Sequence, residues 1–327
     1  MKILLACVHF HSSFGWSIAR ALSRAKHEVW IFDYRQPPTF AFPGYTRFWS
    51  RNIMPGSLLS LARNLKPDLL FLAKGESIPP RVLKTIRQET NCRVINWFPD
   101  ARLFAYANVL GQIPYLDHLF SKNKIDLDRL KLLGFSKGSF LNHCGDRELH
   151  LEYQPSESDL DPYRCQVAFV GSYYPYREAI LSQILDFDLR IWGGGWRQSS
   201  ILRRKPDAVV GKEARSFEQT CVFRGAVVNL NTHHYDDVAS LNQRVFDIAG
   251  AGGCQLVDDG RDLQVIFQVP EEIETFDSVS ELREKIQMLV DRPTLSREMG
   301  RRAAQKTAAK HTYDDRVAQI FDLLERS

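Results

Sequence analysis

Along the chain, short apolar runs alternate with segments whose apolar residues recur at helical spacing. Residues 2–7 form an apolar run, 11–15 a polar loop, 16–25 an amphipathic helix and 28–33 a second apolar run. The alternation continues with a helix over 57–65, a strand over 68–73, a helix over 80–88 and a strand over 93–97. A short strand over 118–121, a helix over 125–133 closed by Gly134 and a last strand over 139–141 complete the series. Such repetition predicts a parallel, doubly wound α/β sheet. Residues 37–55 are aromatic, proline-containing and aperiodic, and read as a long loop over the top of that sheet.

From 145 to 164 the sequence turns polar and acidic, with Pro155, Ser156, Ser158 and Pro162, and this marks a domain boundary. The pattern then restarts. A strand over 166–170 leads to Gly171-Ser172 and a helix over 177–185, and a strand over 189–192 leads to Gly193-Gly194-Gly195-Trp196. A helix near 215–220 is followed by a strand over 227–230, a polar loop, a helix opening near Asn242, a Gly252-Gly253 stop and a strand over 254–257. Helices over 279–290, 295–310 and 313–324 end the chain. The pattern therefore predicts two Rossmann-like domains: a first over 1–150, a linker over 151–163, a second over 164–311, and a last helix over 312–327. Two doubly wound domains of this kind place the carboxyl ends of their strands on either side of a cleft, where ligands bind.

Composition narrows the class. A chain of 327 residues exceeds what one core usually serves, and its 44% apolar content excludes a disordered chain. The first apolar run is too short for a signal-peptide core, and no run is long enough to span a bilayer. Six cysteines without CxxC spacing point to a reduced, cytoplasmic protein lacking structural zinc and disulfides. Charge is unevenly divided. Residues 1–150 carry 21 Lys and Arg against 11 Asp and Glu, and residues 151–327 carry 22 against 28. The basic half suits an anionic partner, though solvated surface lysines account for the excess equally well.

Several polar residues fall where strands end and helices begin. The turn Gly171-Ser172 before Arg177 suits a phosphate, since backbone N–H groups and a guanidinium converge there, but it also fits a routine strand-to-helix turn. Arg244 adds a second cation near the same crevice, and two arginines favour a diphosphate. Asp247, at i+3 from Arg244, can take a ribose diol or pair with Arg244. Gly193, Gly194 and Gly195 remove side chains where a base or phosphate could approach, or form a surface turn. Asn229, Asn231, His233 and Asn242 gather at the same crevice. His233-His234 suits a catalytic role, polarising a sugar hydroxyl, or a metal; with no carboxylate at a metal-site spacing, no metal is expected. Asp258-Asp259 reads as a helix cap before the segment from Leu263. In the first half, His11 and Asp100 follow the first and fourth strands and suit a general base or an acceptor-orienting role. Lys74 after the third strand, and the single glycine of the first loop, Gly15, complete an acceptor-side set.

This pattern resembles the GT-B-fold glycosyltransferases, in particular the spore-maturation-protein-type branch of the group-1-like enzymes. The matching residues are Phe169-Val-Gly-Ser172 with Arg177, Ile191-Trp-Gly-Gly194 with Trp196, Val228-Asn-Leu-Asn231, and Asn242-Gln-Arg-Val-Phe-Asp247 with Ala251-Gly-Gly253. Leu72-Ala-Lys-Gly75 and Trp97-Phe-Pro-Asp100 match the amino-terminal half more loosely. The resemblance implies a nucleoside diphosphate sugar, UDP being the first choice, held mainly by the second domain, with the acceptor on the first. Asp247 takes the place of the family's ribose-binding Glu, Arg177 and Arg244 contact the diphosphate, and Gly193 to Trp196 and the segment near Gly211 flank the base. The resemblance also implies that the final helix returns to the first domain, and that no metal or other cofactor is required. Retaining members carry a second acid eight positions before the ribose residue, where this chain has Ala239, with Asp236 and Asp237 off register.

The expected function is hexosyl transfer from a nucleotide sugar to an anionic or cell-envelope acceptor: a glycan, a lipid-linked intermediate or a nucleic acid. Peripheral membrane association is compatible with this reading; an integral membrane segment is not expected. Two other functions fit the same scaffold, a nucleotide-sugar-binding protein without transfer activity and a nucleotide-sugar isomerase.

Overall fold

The computed structural model describes residues 1–35, 48–234, 240–258 and 262–326. The chain divides into two compact units, Met1–Asn142 with Tyr313–Ser327, and His143–Thr312. Residues 143–150, expected in the first domain, lie with the second unit. There Gly145 donates to His311 O, and His150 is buried.

The first unit is a six-stranded parallel sheet in the order β2-β1-β3-β4-β5-β6. Its strands are β1 (Lys2–Cys7), β2 (Glu28–Asp33), β3 (Leu69–Ala73), β4 (Arg93–Phe98), β5 (His118–Ser121) and β6 (Gly138–Phe140). The apolar runs of β1 and β3 are buried on both faces, as central parallel strands require, and pair in the register Leu4↔Leu70 and Ala6↔Leu72. Helices cover the faces: Phe14–Arg24 with its N-cap Ser13, Met54–Leu65, Pro80–Glu89, Ala107–Gln112 and Lys124–Leu132. The helix Tyr313–Arg326 packs against Phe14–Arg24, with Arg24 Nε 2.9 Å from Asp314 Oδ1. Sheet order reverses between β1 and β3, so the crevice of this unit opens where Val8 and Lys74 leave their strands.

Part of the expected long loop over 37–55 is helical. Trp49–Ile53 forms a π-type turn that runs into the helix Met54–Leu65, and Trp49 Nε1 donates to Tyr34 O at 3.3 Å. Residues 36–47 lie outside the described residues.

The second unit is a five-stranded parallel sheet in the order β11-β10-β9-β7-β8. Its strands are β7 (Cys165–Val170), β8 (Leu189–Trp192), β9 (Ala226–Asn231), β10 (Gln255–Asp258) and β11 (Glu274–Phe276). Here the order reverses between β7 and β9, which pair as Val167↔Val228 and Phe169↔Leu230. Val167, Phe169, Ile191, Val228, Leu230 and Leu256 are buried and form the core under the helices Val279–Asp291 and Pro293–Lys310. Among the described residues, no helix is long and apolar enough to cross a membrane.

Candidate active site

The crevice of the second unit is built around Arg177. Its helix, Pro175–Leu181, follows β7 and is only seven residues long. Its side chain turns back across the switch point. Nη1 donates to Ser172 O at 2.9 Å, while Nε and Nη2 donate to Thr232 Oγ1 and Thr232 O, both at 3.3 Å. The ends of β7 and β9 are therefore joined through one guanidinium, which is also stacked over Tyr174 and Phe169. Burial lowers the Arg177 pKa, with Tyr174 and Asp258 opposing the shift.

Arg244 comes from the first turn of the helix Gln243–Ala251, whose N-cap Asn242 accepts the Val245 N–H at 3.1 Å. Its Nε is buried without a hydrogen-bond partner among the described residues. Burial and the nearby charge of Arg177 push its pKa down to about 10, against the pull of Asp247. Two neighbouring guanidinium groups, neither hydrogen-bonded to a carboxylate among the described residues, give this crevice a positive field suited to an anion.

Asp247 does not form the i,i+3 ion pair that its spacing also allowed. Gln243 Nε2 reaches Asp247 Oδ1 at 2.7 Å and also donates to Cys144 O at 2.7 Å, while His150 Nε2 lies 3.5 Å from the same Oδ1. The Thr220 hydroxyl donates to Leu149 O at 2.6 Å, so toward His150 Nδ1, 2.8 Å away, it can only accept. His150 thus carries its proton on Nδ1 and turns Nε2 toward Asp247. Sequence reasoning missed His150, which lies in the segment taken for the boundary.

His233 follows β9 and is buried. Its backbone N–H and Nδ1 both meet Asp258, Nδ1 at 2.6 Å from Oδ1, and its Nε2 is buried without a partner among the described residues. Asp258 therefore orients a histidine rather than capping the segment after it. Asp259 lies outside the described residues. His234 packs edge-on against Tyr174 with ring centroids 4.7 Å apart.

The asparagines and glycines have mainly structural partners. Asn229 Nδ2 donates to Phe223 O and Cys254 O at 2.8 and 3.1 Å, deep in the unit, so this donor-side candidate faces backbone. Asn231 bonds both Asn242 and Gln255 and so fixes the start of the Arg244 helix to β9 and β10. Gly171 donates its N–H to Trp192 O and accepts the Trp196 indole N–H at 2.8 Å, so its backbone groups do not point at a ligand. A Cβ on Gly193 would lie 2.0 Å from Gly171 O; what approaches this glycine is the protein's own backbone. Gly194 is less confined, its nearest neighbour being Glu213 Oε1 at 3.2 Å. The strip ending in Gly211 runs beside β8, with Val210 donating to Ile191 O and Gly193 to Lys212 O. Ser172 is exposed beside this strip.

In the first unit, Lys74 and Asp100 neutralise each other. Lys74 Nζ is 2.7 Å from Asp100 Oδ2 and lies over the Tyr106 ring; burial works against its charge, and Asp100 more than offsets this and raises its pKa. The pair replaces the expected base and separate acceptor-binding lysine. Gly15 is buried inside the helix Phe14–Arg24, where a Cβ would meet Cys7 Sγ at 2.5 Å, so it serves helix-on-strand packing and is not open to an acceptor. His11 is exposed, its ring 4.8 Å from that of Trp16.

Comparison with known proteins gives this arrangement a context. Residues 177–322 match the family model described as glycosyl transferase-like. Over the whole chain, the fold matches sucrose-phosphate synthase from Thermosynechococcus elongatus, with a TM-score of 0.73 at 13% identity, covering 100% of this chain and 99% of that one. The chain thus has the GT-B fold of these proteins, and its residues 177–322 are similar to the glycosyl transferase-like family. The chain is also similar in fold to Anabaena Alr3699/HepE solved with UDP-glucose, with a TM-score of 0.71 at 9% identity and 100% coverage of both chains. The catalytic domain of Arabidopsis thaliana starch synthase IV, bound to ADP and acarbose, matches with a TM-score of 0.68 at 11% identity over 99% of each chain. A search of curated protein sequences finds no match.

Proposed function

We propose that this chain is a glycosyltransferase that takes its sugar from a nucleoside diphosphate sugar, UDP-linked, bound in the crevice of the second unit, and passes it to an anionic or cell-envelope acceptor in the cytoplasm. The observation that carries the reading is the buried, unpartnered Nε of Arg244 beside Arg177 at the switch point of the sheet. A diphosphate would relieve the repulsion between the two cations, and the remaining N–H donors of Arg177 are available to fork onto it. As the glycosidic bond breaks, negative charge grows on the leaving phosphate, and both guanidinium groups stabilise it without a metal ion. Asp247, held by Gln243, would accept the ribose hydroxyls. His233 carries its Nδ1 proton toward Asp258, so its Nε2 lone pair would accept a hydroxyl of the donor sugar. The UDP-glucose and ADP seen in proteins of the same fold support a nucleotide ligand of this kind. Six buried cysteines outside any disulfide fit a reducing compartment. Ala239, with Asp236 and Asp237, lies outside the described residues.

The test is calorimetric titration with UDP, ADP and GDP, followed by assay of UDP release from a panel of UDP-sugars. Binding of UDP at micromolar affinity with acceptor-dependent release supports the proposal. Binding without release under any acceptor would identify a binding protein, conversion of the sugar without an acceptor an isomerase, and no nucleotide binding would overturn the reading.

A further inference from the structure

A cavity of about 720 Å³ lies in the first unit, apart from the Lys74–Asp100 pair. It is lined by Ser50, Arg51 and Asn52 of the π-type turn, Ser77 after β3, Arg81 of the helix Pro80–Glu89, and Asn108. Its size is that of an ordinary small-molecule site. Its walls are unusual in charge. Arg51 and Arg81 are exposed and have no ion pair among the described residues, so both cations stand uncompensated at the rim.

The carboxylate among its lining residues, Glu76, is already neutralised. Arg35 Nη2 pairs with its Oε1, and the buried Tyr34 hydroxyl lies 3.0 Å from its Oε2. The helix at the cavity adds to the positive field. Its N-cap is Pro79, which supplies no side-chain cap, and Pro80 has no N–H, so the Arg81 N–H is the first donor of an uncapped ten-residue helix. The remaining lining groups are hydroxyls and amides. Asn52 and Asn108 each give one N–H to a backbone carbonyl, Phe48 O at 3.2 Å and Glu76 O at 3.0 Å, which holds their side chains at the wall. Trp49 Nε1 on Tyr34 O anchors the turn that carries Arg51.

We propose that this cavity is the acceptor site and that it takes a phosphorylated polyol, with Arg51, Arg81 and the helix start on the phosphate and the serines and asparagines on the hydroxyls. The proposal rests on the donor reading above, since it assigns the second substrate of the same transfer. Its residues Glu76, Ser77 and Arg81 follow the carboxyl end of β3, the end at which a parallel sheet binds its ligands, and it lies in the half of the chain with the excess of basic residues. The phosphate could belong to a soluble sugar phosphate or to a lipid headgroup.

Calorimetry on the full chain, with the wild type and the exposed double variant Arg51→Gln/Arg81→Gln, tests this with glucose 6-phosphate against glucose, alongside a UDP titration. Retention by phosphatidylcholine vesicles with and without phosphatidylglycerol forms a second arm. The expected result is a preference of about tenfold or more for the phosphate-bearing probe in the wild type, lost in the double variant, with UDP affinity unchanged. Preference for the sugar phosphate identifies a soluble acceptor, and retention only by the anionic vesicles a lipid-linked one. Equal binding of glucose and glucose 6-phosphate without vesicle retention, or a preference that survives in the double variant, overturns the proposal. Loss of UDP binding in the wild type with the phosphate preference intact would sink the donor reading and leave a phosphate site.

Discussion

His233 and Asp258 are joined twice: the carboxylate accepts the His233 backbone N–H at 3.0 and 2.9 Å through its two oxygens, and Oδ1 lies 2.6 Å from Nδ1. The double tie fixes both the ring's orientation and the nitrogen that bears the proton. Asp258→Asn keeps an acceptor for the backbone N–H but can turn an N–H toward the ring, favouring the other tautomer. The expected outcome is a fall in turnover of at least tenfold with UDP affinity nearly unchanged and thermal stability altered by no more than ~1 kcal/mol. Steady-state kinetics beside a thermal melt check it, and full activity in the variant would remove His233 from the reaction.

Arg177 and Arg244 should answer mutation in opposite ways. Arg177→Ala strands Ser172 O and both Thr232 acceptors, and should cost about 2–4 kcal/mol of stability, measurable by urea denaturation. Arg244→Ala removes a charge that burial and Arg177 already disfavour, so the unliganded protein should be no less stable than the wild type, while UDP binds at least about tenfold more weakly. A large stability loss in Arg244→Ala would show that its side chain has a structural partner.

The glycine run after β8 separates packing from openness. A Cβ at Gly193 collides with Gly171 O, and the residue has φ +146, so Gly193→Ala should cost on the order of 3 kcal/mol or more, or abolish soluble expression. Gly194→Ala meets only the end of a flexible Glu213 side chain and should stay within about 1 kcal/mol of the wild type. Melting temperatures of the two purified variants decide between them. Equal effects would refute the packing explanation.

The two parallel sheets were legible because buried apolar runs need no partner information to be recognised; β1, β5 and β8 occupy the predicted residues, as does the more exposed edge strand β2. The three-residue strand β11 and the six-residue helix Ala107–Gln112 were not, since neither is long enough to show a period. Arg177 and Arg244 were legible as cations placed where strands end and helices begin. Asp258 was not legible as the partner of His233, because the two are 25 positions apart and meet only when β9 and β10 are neighbours. The same limit explains Gly15 and Gly193: a glycine needed for a ligand and one needed for a neighbouring strand look alike until the neighbour is known. Lys74 and Asp100, read as separate groups, become one ion pair because β3 and β4 are adjacent.

Stability should also depend on a carboxyl group far from either crevice. Asp126, in the first turn of the helix Lys124–Leu132, is buried, its Oδ2 has no hydrogen-bond partner among the described residues, and burial raises its pKa to about 6 against the pull of a backbone hydrogen bond from Leu103 and of Arg129. A carboxyl whose folded pKa lies above its unfolded value of 3.8 binds its proton more tightly in the folded state. Its contribution is therefore full below the unfolded pKa and is lost as pH rises through about 6, leaving a buried charge at neutral pH. Asp126→Asn keeps the acceptor for Leu103 and removes that charge. The variant should melt at a higher temperature than the wild type at pH 7.5, by the equivalent of about 2–3 kcal/mol, and at nearly the same temperature near pH 4. Thermal melts of both proteins across that range check the sign: a gain that is as large at pH 4 as at pH 7.5 would mean the effect does not come from ionisation of Asp126.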